Sequence, residues 1–200
     1  VSLRIIAGLS LLCAAALQGA CTTTPRASFY TLNAVPVEAP AAPSGLTIAL
    51  GPIDLPEYLD RPQIVTREGD NRLRVDDFNR WGGSLEEEMT RVLARHLGQR
   101  LGTQRVYGYP SRIAADTDYR IALDVRRFDG PLDGEVTLEV AWSVIDDRSS
   151  EPLDTQQSLY RISAAGADYA AYAAALSTAL ARLGDDLASV VSALRVASPR

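Results

Sequence analysis

The chain has 200 residues, of which 46% are hydrophobic, and 20 Lys+Arg against 25 Asp+Glu leave a formal net charge of −5. That is enough apolar chain for one globular domain with a full core, and neither a repeat nor a second domain is readable. Every residue of the Lys+Arg class is arginine and no basic run stands out, which excludes the electrostatic footprint of a nucleic-acid-binding protein and gives no reason for charge-driven adsorption to anionic lipid.

Arg4 is the one charge before the apolar run Ile5–Leu17. The run has the length of a signal-peptide h-region and is too short to span a bilayer. Gly19 and Ala20 precede Cys21, an arrangement that resembles the lipobox of bacterial lipoproteins. Residues 1–20 would then be a signal peptide and Cys21 the lipid-attachment site and new N-terminus. Gln18 stands three places before the cysteine, where the usual box has leucine, and Leu17 lies one further out. Ordinary secretory cleavage near Ala20 is the alternative. Cys13 would leave with the leader, so Cys21 would lack a disulfide partner, and acylation is what would block a lone thiol in an oxidising compartment. Two or three acyl chains anchor stably where one does not. Thr22 follows Cys21 in place of an aspartate, which by the same resemblance implies export to the outer membrane. Residues 21–27 are a tether.

Ser28–Leu32 is predicted as a first strand, β-branched and aromatic. Residues 33–45, with Pro36, Pro40 and Pro43 among alanines, form a Pro/Ala-rich loop. Leu46–Leu50 is a second strand, ended by Gly51-Pro52. In Leu55–Arg67 two prolines, Pro56 and Pro62, bracket a stiff turn, because each fixes φ and lacks an N–H. Gln63–Arg67 and Arg72–Phe78 flank Glu68-Gly69-Asp70-Asn71, a hairpin signal, since Gly and Asn accept positive φ. Arg80–Gly83 punctuates the chain. Ser84 with Glu87 has capping-box spacing, and Leu85, Met89, Val92, Leu93 and Leu97 make the apolar stripe of a helix ending near Leu101.

Gln104–Tyr109 is a short strand closed by Pro110. Apolar residues take odd positions from Tyr119 to Val125 and even positions from Val136 to Val144. Such alternation predicts an antiparallel pair with one buried face, joined through residues 129–134. Residues 146–152 read as a turn and Gln157–Ser163 as a weaker strand. A long alanine-rich helix runs from about Asp168 to Val196, leaving residues 197–200 as a tail. With few charges to specify a coiled coil, that helix is expected to lie on a sheet.

No pattern carries catalysis. His96 is the single histidine and falls near the apolar stripe of its helix, where a packed imidazole is the plain reading. There is no CxxC or HExxH for zinc. Glu86, Glu87 and Glu88 could suggest paired carboxylates for glycoside cleavage, but acids in a first helical turn complement the macrodipole. Gly82-Gly83 fits no phosphate loop. The reading is a non-enzyme with no cofactor and no metal.

Tyr58-Leu59-Asp60-Arg61-Pro62-Gln63-Ile64-Val65, the Trp81 that precedes the amphipathic helix, the Phe29-Tyr30-Thr31-Leu32 strand and the lipoprotein start together resemble the ABC-type transport auxiliary lipoproteins, the PqiC/YmbA-like group. The resemblance covers residues 28–196. It implies a single compact α/β (α+β) domain similar to the N-terminal domain of TolB, with two main helices packed on a mixed, mostly antiparallel sheet. It further implies a lipid-anchored place on the periplasmic face of the outer membrane. The implied partners are an MCE-domain protein with its ABC permease and ATPase, which move lipids or other hydrophobic molecules between the two membranes and so sustain membrane integrity. A stand-alone structural outer-membrane lipoprotein and an envelope hydrolase remain as alternatives, and assembly of several copies stays open. An anchored domain of this kind needs a partner surface. Tyr58, Leu59, Asp60 and Arg61, with Arg67 and Trp81 nearby, are its candidate residues, since Tyr, Trp and Arg are enriched in binding hot spots. The competing reading has Tyr58, Leu59 and Trp81 plugging the core and Asp60 paired with an arginine.

Overall fold

The computed structural model describes residues 26–38, 41–111 and 116–197. The expected signal peptide, Cys21, most of the tether and the last three residues of the tail lie outside the described residues. The elements follow as β1 (Ser28–Tyr30), β2 (Ile48–Asp54), β3 (Gln63–Arg67), β4 (Leu73–Trp81), α1 (Leu85–Leu101), β5 (Val106–Gly108), β6 (Tyr119–Asp129), β7 (Glu135–Asp146), β8 (Glu151–Ser163) and α2 (Tyr169–Ala197).

The strands divide between two mixed sheets. A three-stranded sheet has the order β1-β4-β3, and a five-stranded sheet the order β5-β2-β6-β7-β8. β1 runs parallel to β4, and β5 and β6 run parallel to β2; the remaining pairs are antiparallel. The period-two residues do what their spacing predicts: Ile121, Val136, Leu138 and Val144 are fully buried. Against them lie both helices. α2 covers β7 and β8, α1 covers β2 and β5, and the helices pack on each other. Their stripes, Met89, Leu93 and Leu97 on α1 and Leu176, Leu180, Leu183 and Leu187 on α2, have no exposed surface. The fold class read from the sequence, a single α+β domain, is the one observed.

Several boundaries move for physical reasons. Gly51-Pro52 does not end β2, which continues to Asp54 through a register shift between Leu50 and Ile53. A proline cannot donate to a ladder, so in this interior strand it sits in the irregular part. β8 begins at Glu151, six residues before the predicted Gln157, and takes in Pro152. It is an edge strand, where a missing N–H is tolerated. β4 runs on to Trp81, through the Arg80-Trp81 pair expected to break the chain.

The capping box is not made. Ser84 has extended geometry at the N-terminus of α1, but its side chain caps nothing. Glu88 is used differently: its Oε2 accepts the backbone N–H of Leu32 at 3.1 Å and a charged bond from Arg91. At α2 the cap is Asp168, whose Oδ1 accepts the Ala171 N–H at 2.7 Å. Gly102, with φ 65°, closes α1 and lets the 41–45 loop approach, so that Ala41 N–H reaches Gln99 O at 3.0 Å and Ser44 N–H reaches Gly102 O at 2.6 Å.

Candidate functional site: the turn between Pro56 and Pro62

Between β2 and β3 the chain folds into a tight turn. Leu59 N–H donates to Pro56 O at 2.9 Å, Asp60 N–H to Glu57 O at 3.2 Å, and Arg61 N–H to Leu59 O at 2.8 Å. The pyrrolidine rings restrict both ends. Trp81 N–H closes the far side on Pro62 O at 2.8 Å, which sets the turn beside the end of β4.

Underneath lies a carboxylate that the sequence reading did not single out. Asp129, at the end of β6, is completely buried. Arg67 grips it with two bonds, Nε to Oδ1 and Nη2 to Oδ2, both 2.8 Å. Tyr58 Oη donates to Oδ2 at 2.7 Å and Arg127 Nε to Oδ1 at 2.9 Å. Arg67 N–H also bonds Gly130 O at 2.8 Å. The Tyr172 hydroxyl, from α2, donates to Val65 O at 2.9 Å and accepts the Gly130 N–H at 3.2 Å. The turn is thus clamped to β3 and β6 through one charge, and Tyr172 ties both to α2.

Burial pushes the Asp129 carboxyl up, but the bonds from Arg67, Tyr58 and Arg127 outweigh it and hold the group below the usual carboxylate range. The Tyr58 phenol is raised, first by burial and then by its bond to Asp129. Arg67 is raised by its hydrogen bonds to Asp129. A paired ion set of this kind, with every partner charged or hydrogen-bonded, holds a geometry and offers no free base or nucleophile.

The candidate residues therefore separate. Tyr58 and Arg67 come together, on Asp129. Leu59 is 3% exposed and Trp81 5%, which is the burial that the core-plugging alternative describes: the apolar side chains under the turn are drawn inward by the same burial that builds the rest of the domain. Asp60 and Arg61 are exposed at the crest, and among the described residues neither is in an ion pair. The signal that could have found Asp129 is the break in alternation. A register shift between Val125 and Arg127 changes the phase of β6, after which Phe128 and Asp129 are both buried.

His96 is buried between the helices. Its Nε2 lies 2.7 Å from Asp185 Oδ1, to which Arg100 Nε also donates at 2.6 Å. No group of three or more His, Cys, Asp or Glu side chains converges as metal ligands would among the described residues. A cleft of about 650 Å³ under the 41–45 loop, lined by Arg95, Gln99 and Arg105 among others, shares no residue with the turn. No helix among the described residues is long and apolar enough to cross a membrane.

Comparison with solved structures identifies the fold. The chain aligns with the crystal structure of an uncharacterized protein at a TM-score of 0.69 and 16% identity, covering 84% of this chain and 99% of the other. A Xanthomonas campestris protein of the DUF330 family aligns at 0.66 and 18% identity, covering 86% and 99%. No curated protein matches in sequence. The model of the ABC-type transport auxiliary lipoprotein component matches residues 30–188, a span that takes in the turn, its clamp and both helices up to Ala188. The chain belongs to the ABC-type transport auxiliary lipoprotein family.

Proposed function

We propose that this protein is a non-catalytic envelope lipoprotein, anchored through Cys21 at the periplasmic face of the outer membrane, that docks an ABC permease, its ATPase and an MCE-domain protein. The assembly would move lipids or other hydrophobic molecules between the two membranes and so sustain membrane integrity. The observation that carries this reading is the membership of the transport auxiliary family. The turn adds to it a physical means. Asp60 and Arg61 stand exposed on a loop fixed by two prolines and by the buried Asp129 clamp. A rigid, charged crest loses little conformational freedom when a partner covers it.

The test is co-purification of the MCE-domain protein with this lipoprotein from detergent-solubilised envelopes. Asp60→Ala with Arg61→Ala is expected to reduce recovery of the partner at least tenfold while leaving the thermal transition within a degree or two, since both side chains are solvent-exposed. Unchanged recovery would remove the crest from the interface. In parallel, labelled fatty acid is expected to enter the wild-type chain and not the Cys21→Ser variant. A parent chain that takes up no label would end the anchor reading.

A further inference from the structure

Two aromatic rings stand in solvent on the three-stranded sheet. Phe29 on β1 is 67% exposed and Phe78 on β4 is 41% exposed. In the parallel β1–β4 ladder Phe29 is the partner of Arg80, while Tyr30 pairs with Trp81 and Ser28 with Asn79. Phe78 directly precedes Asn79, the ladder partner of Ser28, so the two exposed rings stand at neighbouring positions along the β1–β4 edge.

Phe78 is held out deliberately. Between the pairs Gln63↔Arg80 and Val65↔Val75, β3 advances two residues and β4 five, so β4 carries a bulge of three extra residues. Asp76 pins that bulge. Its Oδ1 accepts the N–H groups of Phe78 at 2.9 Å and Asn79 at 2.8 Å and the Asn79 Nδ2 at 2.9 Å, and its Oδ2 accepts the Tyr169 hydroxyl at 3.0 Å. Asn79 in turn takes the Tyr30 hydroxyl at 2.9 Å. Five hydrogen bonds fix the backbone and polar side chains of the bulge, and leave the phenyl ring outside. A domain normally buries a phenylalanine.

What covers the patch follows from where it lies. Phe29 is eight residues beyond Cys21, and eight residues of extended chain reach at most roughly 26–29 Å. An acylated Cys21 therefore keeps Phe29 within that distance of the bilayer surface, whatever path the tether takes. In sequence Arg26 and Arg80 stand within three residues of the rings, as do Asp76 and Asp77, and Arg80 Nε donates to Asp77 O at 2.9 Å. The geometry points to this face as a membrane contact: Phe29 and Phe78 insert into the interfacial region of the bilayer that holds the anchor, and Arg26 and Arg80 meet lipid phosphates. Exposed aromatic rings with arginines nearby suit the boundary between headgroups and acyl chains. The negative net charge of the whole chain does not decide this, because the attraction is apolar first and Arg26 and Arg80 offset Asp76 and Asp77 locally. The inference rests on the lipid anchor and fixes how the anchored domain is turned.

The experiment uses the full lipidated chain in vesicles of phosphatidylethanolamine and phosphatidylglycerol carrying brominated acyl chains, which quench indole at short range. The native Trp81 and Trp142 are buried and give a constant background. Phe29→Trp and Phe78→Trp are each expected to gain emission that brominated lipid quenches at least twofold relative to unbrominated vesicles. Leu159→Trp, at an exposed position on β8, is the control expected to show no quenching. Thermal transitions of the three variants check that each folds. Absence of quenching at both phenylalanine positions, or equal quenching at all three, overturns the inference. So does blue-shifted but unquenched emission, which would mean that protein and not lipid covers the rings. Fatty-acid incorporation measured on the same preparations separates a missing anchor from a misassigned face.

Discussion

Asp129 decides how the site behaves as chemistry. Removing it leaves the Arg67 and Arg127 guanidiniums and the Tyr58 hydroxyl facing a vacancy where a charge had been. Asp129→Ala is expected to cost about 3–5 kcal/mol, the scale for breaking one partner out of a buried ion set, read as a shift in the denaturant midpoint. The pH dependence follows from the sign of the shift. The folded carboxyl is held below the ordinary 3.8. Its contribution is therefore complete above the unfolded value and is lost as pH falls through the depressed folded one. Stability of the wild-type chain should be flat down to about pH 5 and drop below about pH 4, and Asp129→Ala should show a shallower acid limb in the same titration. The break in alternation after Val125 marks the stretch in the sequence, but the contacts of Asp129 were not legible there. Tyr58 and Arg67 drew attention by residue type and by their place beside two prolines. Asp129 lies 71 and 62 residues from them and looked like the first residue of a loop. A contact of that range is set by how β3 comes to lie against β6, which no local pattern encodes.

At the scale of elements, the two helices meet where α2 presents Gly184 to His96. A Cβ built on Gly184 would stand 2.5 Å from His96 Cδ2, and the ring cannot swing away without giving up Asp185. Gly184→Ala, which by propensity alone would favour the helix, is expected instead to destabilise by about 1–3 kcal/mol through overpacking. The penalty should shrink in a His96→Ala background, a coupling that a double-mutant cycle on the thermal transition measures. The helices and the alternating strands were readable because their apolar periodicity is sustained over many residues. Phases and ends were not. β4 reads as a plain hairpin arm until the bulge held by Asp76, and β2 and β8 run through prolines that a strand rule alone would exclude. In each case the cause is position within the sheet, at an irregularity or an edge, and that position is fixed only once all strands are in place.

On the scale of the whole molecule, family membership was legible because one contiguous stretch, Tyr58–Val65, and one nearby residue, Trp81, carried it. The stretch identifies the family through residues that serve partly as structure, since Leu59, Ile64, Val65 and Trp81 are core. What remains for a partner at that end of the domain is a small charged crest. β1 has a further consequence, mechanical in kind, if the domain bridges an anchored terminus and a partner. Tension applied through Arg26 along the strand axis would load the three β1–β4 residue pairs together, in shear, instead of opening them one at a time. Behind them the Leu32 N–H is tied to Glu88 of α1 and the Asn33 N–H to Ser177 of α2 at 3.1 Å each. A strand of three residues is thereby backed by both helices, so a pull on the tether is shared across the domain before the first strand can detach.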